Sequence, residues 1–593
     1  MATRILGRTA DVSDKEGSAM DFQIIGGNQG AKIYINNERE SDGVLLLDVN
    51  MQMESEAVPE RFSILFSMPD VEVYSVWSPS MHADRHIGPN WRKRTTNARL
   101  ASWMPLQSLI SASGRNRMTV AISDAKTPTA IRSGECEEDA NVQWEIRFFT
   151  IPVAPIKEYR ATLRIDTRDI PYYDAIRDAA AWWETDCGYT PAYVPEHAKL
   201  PMNSLWYSYH QALDPDKIVA ECILSKAIGM ETVIVDDGWQ TDDNTRGYRF
   251  CGDWEVAQAK IPDMKNFVDR VHEVGMKIML WFSVPFMGTE TKSFERFRDM
   301  LLDGTGDNKS YFSLDPRYRE VREYLVGIYE RAVGEWGLDG LKLDFIDSFE
   351  LKGRSLEPDA RRDYQSLEDA VDALMTEVTE ALRRINPEVM IEFRQSYVGP
   401  AIRKYGNILR VGDCPNDAIR NRVEIIDLRL TSGDTAVHSD MLMWHHDDSV
   451  ESAASQLIST LYGVPQVSVK LKDLPEDHRK MLEFYLAFWC ENRDTLIGGR
   501  LLAANPESLY SIVLAERDGR AIFTAYTDTV IDCVDYSEVI AVNASRHHAL
   551  ILKHADGRAY KVLDCMGNIL REGVINGALC EIDVPISGMV RIG

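Results

Sequence analysis

The chain has 593 residues, 45% of them hydrophobic, with a mean hydropathy of −0.27 and a formal net charge of −26. That length favours two to four domains, and the acidity argues against nucleic acid or an anionic membrane as a partner. Nine cysteines without a CxxC pair argue against a disulfide framework or a zinc knuckle, no apolar run is long enough to span a bilayer, and the stretch "MATRILGRTADVSDKEG" has no signal-peptide core, so a cytoplasmic protein is expected.

Residues 1–170 alternate short β segments with turns: "GVLLLDV", "RFSILFSM", "VEVYSVW", "RMTVAIS" and "QWEIRFFTI". This pattern predicts an N-terminal β-sandwich. Residues 171–498 change character. Amphipathic helices such as "DPDKIVAECILSKAIG" begin at cap-type aspartates and end in glycine, and they alternate with short apolar strands. With "LWYSYH" (205–210) taken as the first, eight strands are counted: "TVIVDDGW", "MKIMLWF", "GLKLDF", "VMIEF", "NILRVG", "TAVHSDML" and "PQVSVKL" follow. Eight β/α units predict a (β/α)8 TIM barrel. An open doubly wound sheet is the alternative, but it normally carries a glycine-rich phosphate loop, which is absent. Residues 499–593 return to short strands and predict a small C-terminal β-sandwich, giving a multidomain protein with a central barrel between two all-β domains.

Polar residues at the C-terminal ends of barrel strands are catalytic candidates. Here they are Asp236, Asp237 and Trp239 after strand 2, Trp281 on strand 3, and Lys342 and Asp344 on strand 4. Strand 5 adds Glu392 and Arg394, strand 6 Arg410 and Asp413, and strand 7 His438 and Asp440. Lys342 and Asp344 are two apart, so they share one face of their strand. Carboxylates for hydroxyls, with aromatic rings for C–H faces, point to a sugar. Two carboxylates on different strands suit cleavage of a glycosidic bond. The run His445, His446, Asp447, Asp448 is the metal alternative. Neighbours on a regular element diverge, and no HExxH or HxH accompanies them, so no metal or other cofactor is expected.

The segments "VIVDDGWQ" (233–240), "LWF" (280–282), "GLKLDF" (340–345), "RVGDCPND" (410–417) and "GVPQVSVKLKDLPEDHRKMLEFYLAFWCENRDTLI" (463–497) resemble glycoside hydrolase family 36. That family includes α-galactosidases, α-N-acetylgalactosaminidases and raffinose-synthase-type transferases, and it shares the sandwich–barrel–β architecture. The resemblance implies that Asp344 is the nucleophile and Asp413 the acid/base. It implies that Asp236, Asp237 and Lys342 bind galactose hydroxyls and that Trp281 walls the glycone. Trp206, Trp239, Arg394, Arg410 and Asp440 complete the expected substrate-lining set in the barrel. Lys342 then sits beside Asp344 because both face one sugar, and its charge favours the ionised nucleophile.

Two loops depart from the family pattern: "SVPFMG" after strand 3 and "FRQSYVGPAI" after strand 5. Arg394 and Gln395 stand where the second loop approaches the sugar, as readers of a C2 or anionic substituent. The N-terminal loop "SPSMHADRHIGPNWRKR" (78–94) carries Trp91, an aromatic of the kind that relatives place at the barrel mouth, sometimes from a neighbouring subunit; a homo-oligomer is thus left open. The expected activity is retaining exo-α-glycosidase action on a small α-galactoside. The alternatives are α-galactosyl transfer, an α-glucosidase, an α-N-acetylgalactosaminidase, or an inactive sugar-binding protein.

Overall fold

Short runs of Val, Ile, Leu and Met form strands covered on both faces, as parallel barrel strands are. In chain order they are β1 (Met202–Ser204), β2 (Thr232–Val235), β3 (Lys277–Ser283), β4 (Gly340–Asp344), β5 (Met390–Arg394), β6 (Ile408–Arg410), β7 (Ala436–Leu442) and β8 (Val464–Val467). All neighbours are parallel, and β8 pairs with β1 to close the barrel. The computed structural model describes residues 20–303, 309–351 and 357–593. The N-terminal stretch read above for a leader lies outside these.

Helices between strands bury one stripe. In Leu367–Ile385 that stripe includes Leu367, Val371, Leu374, Val378 and Leu382, and the helix starts where the Ser366 hydroxyl accepts from Asp369 N. An N-terminal domain of five- and six-stranded antiparallel sheets ends with the strand Ile156–Asp166. A C-terminal domain of seven- and three-stranded sheets begins with Arg500–Ala504. The predicted fold class is thus borne out. Among the described residues no helix is long and apolar enough to cross a membrane.

The first strand was misplaced. "LWYSYH" forms turns, and the strand is the three residues before it, Met202–Ser204. Asn203 is buried and its side-chain NH2 donates to Ser225 Oγ at 2.7 Å, so a polar residue occupies a place where the pattern looks for an apolar one.

One buried charge joins all three domains. Asp427, on the helix Ala418–Arg429, accepts from Trp77 Nε1 (2.8 Å) and from Arg85 Nη2 (2.8 and 2.7 Å to its two oxygens), both of the N-terminal domain. It also pairs with His82 Nδ1 at 2.9 Å and accepts from the Tyr510 hydroxyl of the C-terminal domain. Burial pushes the Asp427 carboxyl up, but Arg85 and His82 outweigh it and hold it below the ordinary range. Removing one partner of a buried pair strands the other charge. Arg85→Ala is expected to cost about 3–5 kcal/mol, measured as a lower urea midpoint for the first unfolding transition.

Candidate active site

The rim is built from β4 outward. Lys342 and Asp344 both face the barrel mouth from β4. Lys342 Nζ donates to Asp236 Oδ2 at 2.5 Å, and Asp236 Oδ1 accepts from Asp237 N at 2.9 Å. Asp237 is held by two amides, Gln211 Nε2 on Oδ2 (2.7 Å) and Gln240 Nε2 on Oδ1 (2.6 Å). Burial pushes its carboxyl up, and the charge of Asp236 adds to that. The glycine between Asp237 and Trp239 is required: Gly238 has φ +113°, and a Cβ there would lie 2.8 Å from Cα of Gln211.

Asp344 is loaded unevenly. Oδ1 accepts from Arg394 Nε (2.7 Å), from Phe345 N (2.9 Å) and from the Tyr397 hydroxyl; among the described residues Oδ2 accepts only from Trp281 Nε1, at 2.9 Å. Oδ2 therefore keeps lone-pair capacity. Burial alone would raise this carboxyl, but the charges of Arg394 and Lys342 and the bonds from Trp281 and Tyr397 hold it below the ordinary value. Immediately after it the backbone turns sharply, with Phe345 at φ 65°, a left-handed conformation found where surrounding structure enforces it.

Asp413 follows the end of β6. Arg410 Nη2 donates to its Oδ1 at 2.8 Å, yet 55% of its side chain remains exposed, against 9% for Asp344. Burial raises its carboxyl; Arg410, Arg394 and Lys342 outweigh this and hold it well below the ordinary range. Arg410 also pairs with Asp440, which accepts from Cys414 N (2.7 Å) and the Tyr207 hydroxyl (3.0 Å).

A wall of rings lines the other side. Trp281 lies 6.2 Å from Tyr248, and Phe286 stacks on Phe345 at 4.7 Å. Trp206 stacks on the His210 ring at 3.9 Å. The structure thus brings Asp236, Asp237, Trp281, Lys342, Asp344, Arg394, Arg410 and Asp413 to one rim.

Four expectations are corrected. Trp239 is fully buried, bonds through Nε1 to Trp281 O (2.9 Å) and packs on Trp254 and Phe282; it backs the wall instead of facing substrate, because Gly238 redirects the chain. Trp91 is 74% exposed on the short helix Asn90–Arg92 instead of packed into the aromatic wall. Asp440 is fully buried and filled by protein donors, so it fixes the Asp413 turn. His445, His446 and Asp447 do bring ligand atoms within 4.8 Å of one another. They lie on an exposed turn, where the divergence expected of a regular element does not apply.

Sequence reasoning missed Tyr397, Tyr248, Gln211, Gln240 and Tyr207. All lie in irregular segments, where no periodicity marks a side chain as inward. A cavity of about 690 Å³ opens at the opposite end, where β7 and β8 begin, and holds none of the rim residues.

A barrel whose C-terminal rim gathers carboxylates, a lysine and an aromatic wall has the make-up of a sugar-binding site. Residues 195–422 match the Melibiase family. Alpha-galactosidase Mel36A of Lactobacillus acidophilus is 30% identical over 149 residues, 24% of this chain and 19% of its own. A type blood alpha-D-galactosamine galactosaminidase of Flavonifractor plautii is 26% identical over 148 residues, 22% of this chain and 13% of its own. The aligned segment thus spans a fifth or less of these curated relatives. The crystal structure of GH36 alpha-galactosidase AgaA from Geobacillus stearothermophilus has a TM-score of 0.61 at 14% identity, covering 97% of this chain and 88% of that one; AgaA variants are also solved with stachyose and with raffinose. At that identity the structural likeness is one of fold. The Melibiase match thus covers the stretch from β1 through β6, and the resemblance to glycoside hydrolase family 36 is borne out.

Of the charges around Asp344, that of Arg394 lowers its carboxyl most. In Arg394→Met that carboxyl is expected to titrate higher, because the cation that favours its ionised form is gone. If the ionised Asp344 is the working form, the acid limb of the kcat/KM–pH profile moves to higher pH, which a pH series on one substrate measures.

Proposed function

We propose that the chain is a retaining exo-α-glycosidase that hydrolyses α-galactosides through a covalent glycosyl intermediate on Asp344. The observation that carries this reading is the uneven loading of Asp344: an ionised carboxylate with one saturated oxygen and one oxygen, Oδ2, free to attack an anomeric carbon. Lys342 with Asp236, and Asp237 with its two amides, present fixed polar groups for the hydroxyls of one sugar ring. The relatives' names and the AgaA complexes with stachyose and raffinose favour galactose as that ring.

In the first step Asp344 Oδ2 attacks the anomeric carbon while Asp413 gives a proton to the departing oxygen. Before a sugar binds, the cations around Asp413 favour its ionised form. A bound sugar covers its exposed face and strips it of water, which raises its carboxyl. Forming the ester on Asp344 then removes a negative neighbour, which lowers the Asp413 carboxyl again. Asp413 next takes a proton from water, and the water releases the sugar from Asp344. Transfer to a second sugar uses the same intermediate with a different acceptor, so adding sugar acceptors to the assay separates hydrolysis from transfer.

Asp344→Ala is expected to abolish turnover, with partial rescue of an activated aryl glycoside by azide or formate. Asp413→Ala is expected to slow substrates with poor leaving groups far more than nitrophenyl glycosides, which need little proton donation. Equal losses on both substrate types refute the acid/base role.

A buried carboxylate left without its hydroxyl is costly, so an epimer that cannot reach it is rejected. If Asp236 or Asp237 receives the axial O4, α-galactosides should exceed α-glucosides in kcat/KM by about a hundredfold, roughly 3 kcal/mol, and Asp237→Asn should shrink that ratio. A preference for aryl α-glucosides overturns the choice of sugar and leaves the two-carboxylate chemistry standing.

A further inference from the structure

The turn that carries Asp413 is held at three successive residues. Cys414 N is taken by Asp440, the Asp413 side chain by Arg410, and Gly412 N by two acceptors at once, Glu424 Oε2 and Gln395 Oε1, each at 2.8 Å. The first two contacts belong to the strand-end network already described. The third leaves it. Glu424 lies on the helix Ala418–Arg429, one turn before Asp427, and is fully buried.

A buried carboxylate needs cationic or donor partners. Those of Glu424 come from two directions. Arg420 Nε, one helical turn away and half exposed, donates to Oε1 at 2.6 Å. His82 Nε2 of the N-terminal domain lies 3.8 Å from the same oxygen, while its Nδ1 pairs with Asp427. Glu424 therefore stands between the joint that fixes the three domains and the backbone amide next to Asp413. Gly412 permits the approach: a Cβ there would lie 3.2 Å from Glu424 Oε2 and 3.2 Å from Arg420 Nη2.

We propose that Glu424 is a positioning residue for the acid/base: it fixes Gly412 N–H, and through it the direction of the Asp413 carboxyl, against the helix that the N-terminal domain clamps. It touches neither the sugar nor the reacting atoms. Its effect falls on the proton transfers that Asp413 makes, and kcat/KM reads the first of them, in which Asp413 must meet the departing oxygen. This inference rests on Asp413 being the acid/base, as proposed above.

The test uses the full chain and two α-galactosides, one nitrophenyl and one an unactivated disaccharide. In Glu424→Ala the disaccharide's kcat/KM is expected to fall at least tenfold more than that of the nitrophenyl substrate, with thermal unfolding followed in parallel. Glu424→Gln keeps an oxygen for Gly412 N–H and is expected to stay within about threefold of the parent on both. Gly412→Ala presses on the same contact from the other side and is expected to reproduce the selective loss. Equal losses on the two substrates in Glu424→Ala, or no loss, overturn the proposal. Asp413→Ala is measured alongside. If it discriminates between leaving groups and Glu424→Ala does not, only this inference fails; if Asp413→Ala itself does not discriminate, the acid/base assignment fails and this inference with it.

Discussion

The rim depends on one guanidinium. Arg410 is fully buried at the end of β6 and bonds Asp413 at 2.8 Å and Asp440 beyond it, with Glu392 at 3.6 Å on the preceding strand. A charge taken out of water is tolerated only with close partners, so the geometry of three neighbouring strand ends follows from that one residue. Its three carboxyls do not behave alike. Burial pushes those of Glu392 and Asp440 up, whereas that of the half-exposed Asp413 is driven down. Below them His438 is kept neutral by burial, its ring donating from Nε2 to Ala198 O at 2.7 Å and accepting from Gln466 Nε2 at Nδ1 (3.1 Å). The positive charge needed at the rim is thus not duplicated in the core.

The aromatic wall sets the conditions for that electrostatics. Trp281 offers its Nε1 to Asp344 and its backbone carbonyl to Trp239, so the ring that faces the mouth is fixed at both ends. Trp239, Trp254 and Phe282 fill the space behind it. Tyr248, Phe286 and Phe345 close the side toward the loop after β3. Packed rings exclude water, and in the lower dielectric Arg394 and Lys342 act on Asp344 more strongly than they would in solvent. The departure "SVPFMG" is therefore accommodated: its Phe286 becomes part of the wall.

Much of this was legible. Strand and helix periods differ, and eight alternations with apolar strands leave few folds open, so the barrel and its flanking β domains could be read. The strand-end residues were found because a barrel strand must end at the rim, whatever its neighbours do. What failed failed for local reasons. The polar strand Met202–Ser204 has no apolar signature, so the aromatic turn after it drew the assignment. Trp239 looked like a rim residue because nothing in "DDGW" announces that Gly238 reverses the direction of the next side chain. Arg394 was expected to read a sugar substituent, but its Nε is committed to Asp344 and Nη1 to Gln395 O at 3.0 Å. Tyr397 bonds Asp344 from a loop without a repeating pattern, and only tertiary structure brings the two together.

The N-terminal domain shows why the rest could not be read locally. Arg99 donates to Asp347 O (2.6 Å) and Phe349 O (2.5 Å), in the segment that follows Asp344; Trp103 N donates to Ser396 O at 2.7 Å, in the segment that carries Tyr397. These are backbone carbonyls on the barrel side, so the barrel's own sequence records nothing of the partnership. The sandwich thus braces the loops after β4 and β5 while His82 and Arg85 brace the helix after β6. The Melibiase match ends within that helix and begins after the sandwich. A barrel can keep its strand-end carboxylates while the surfaces that aim them diverge in another domain. For this chain the aim of both carboxylates is therefore a property of the whole molecule, although the carboxylates themselves belong to the barrel.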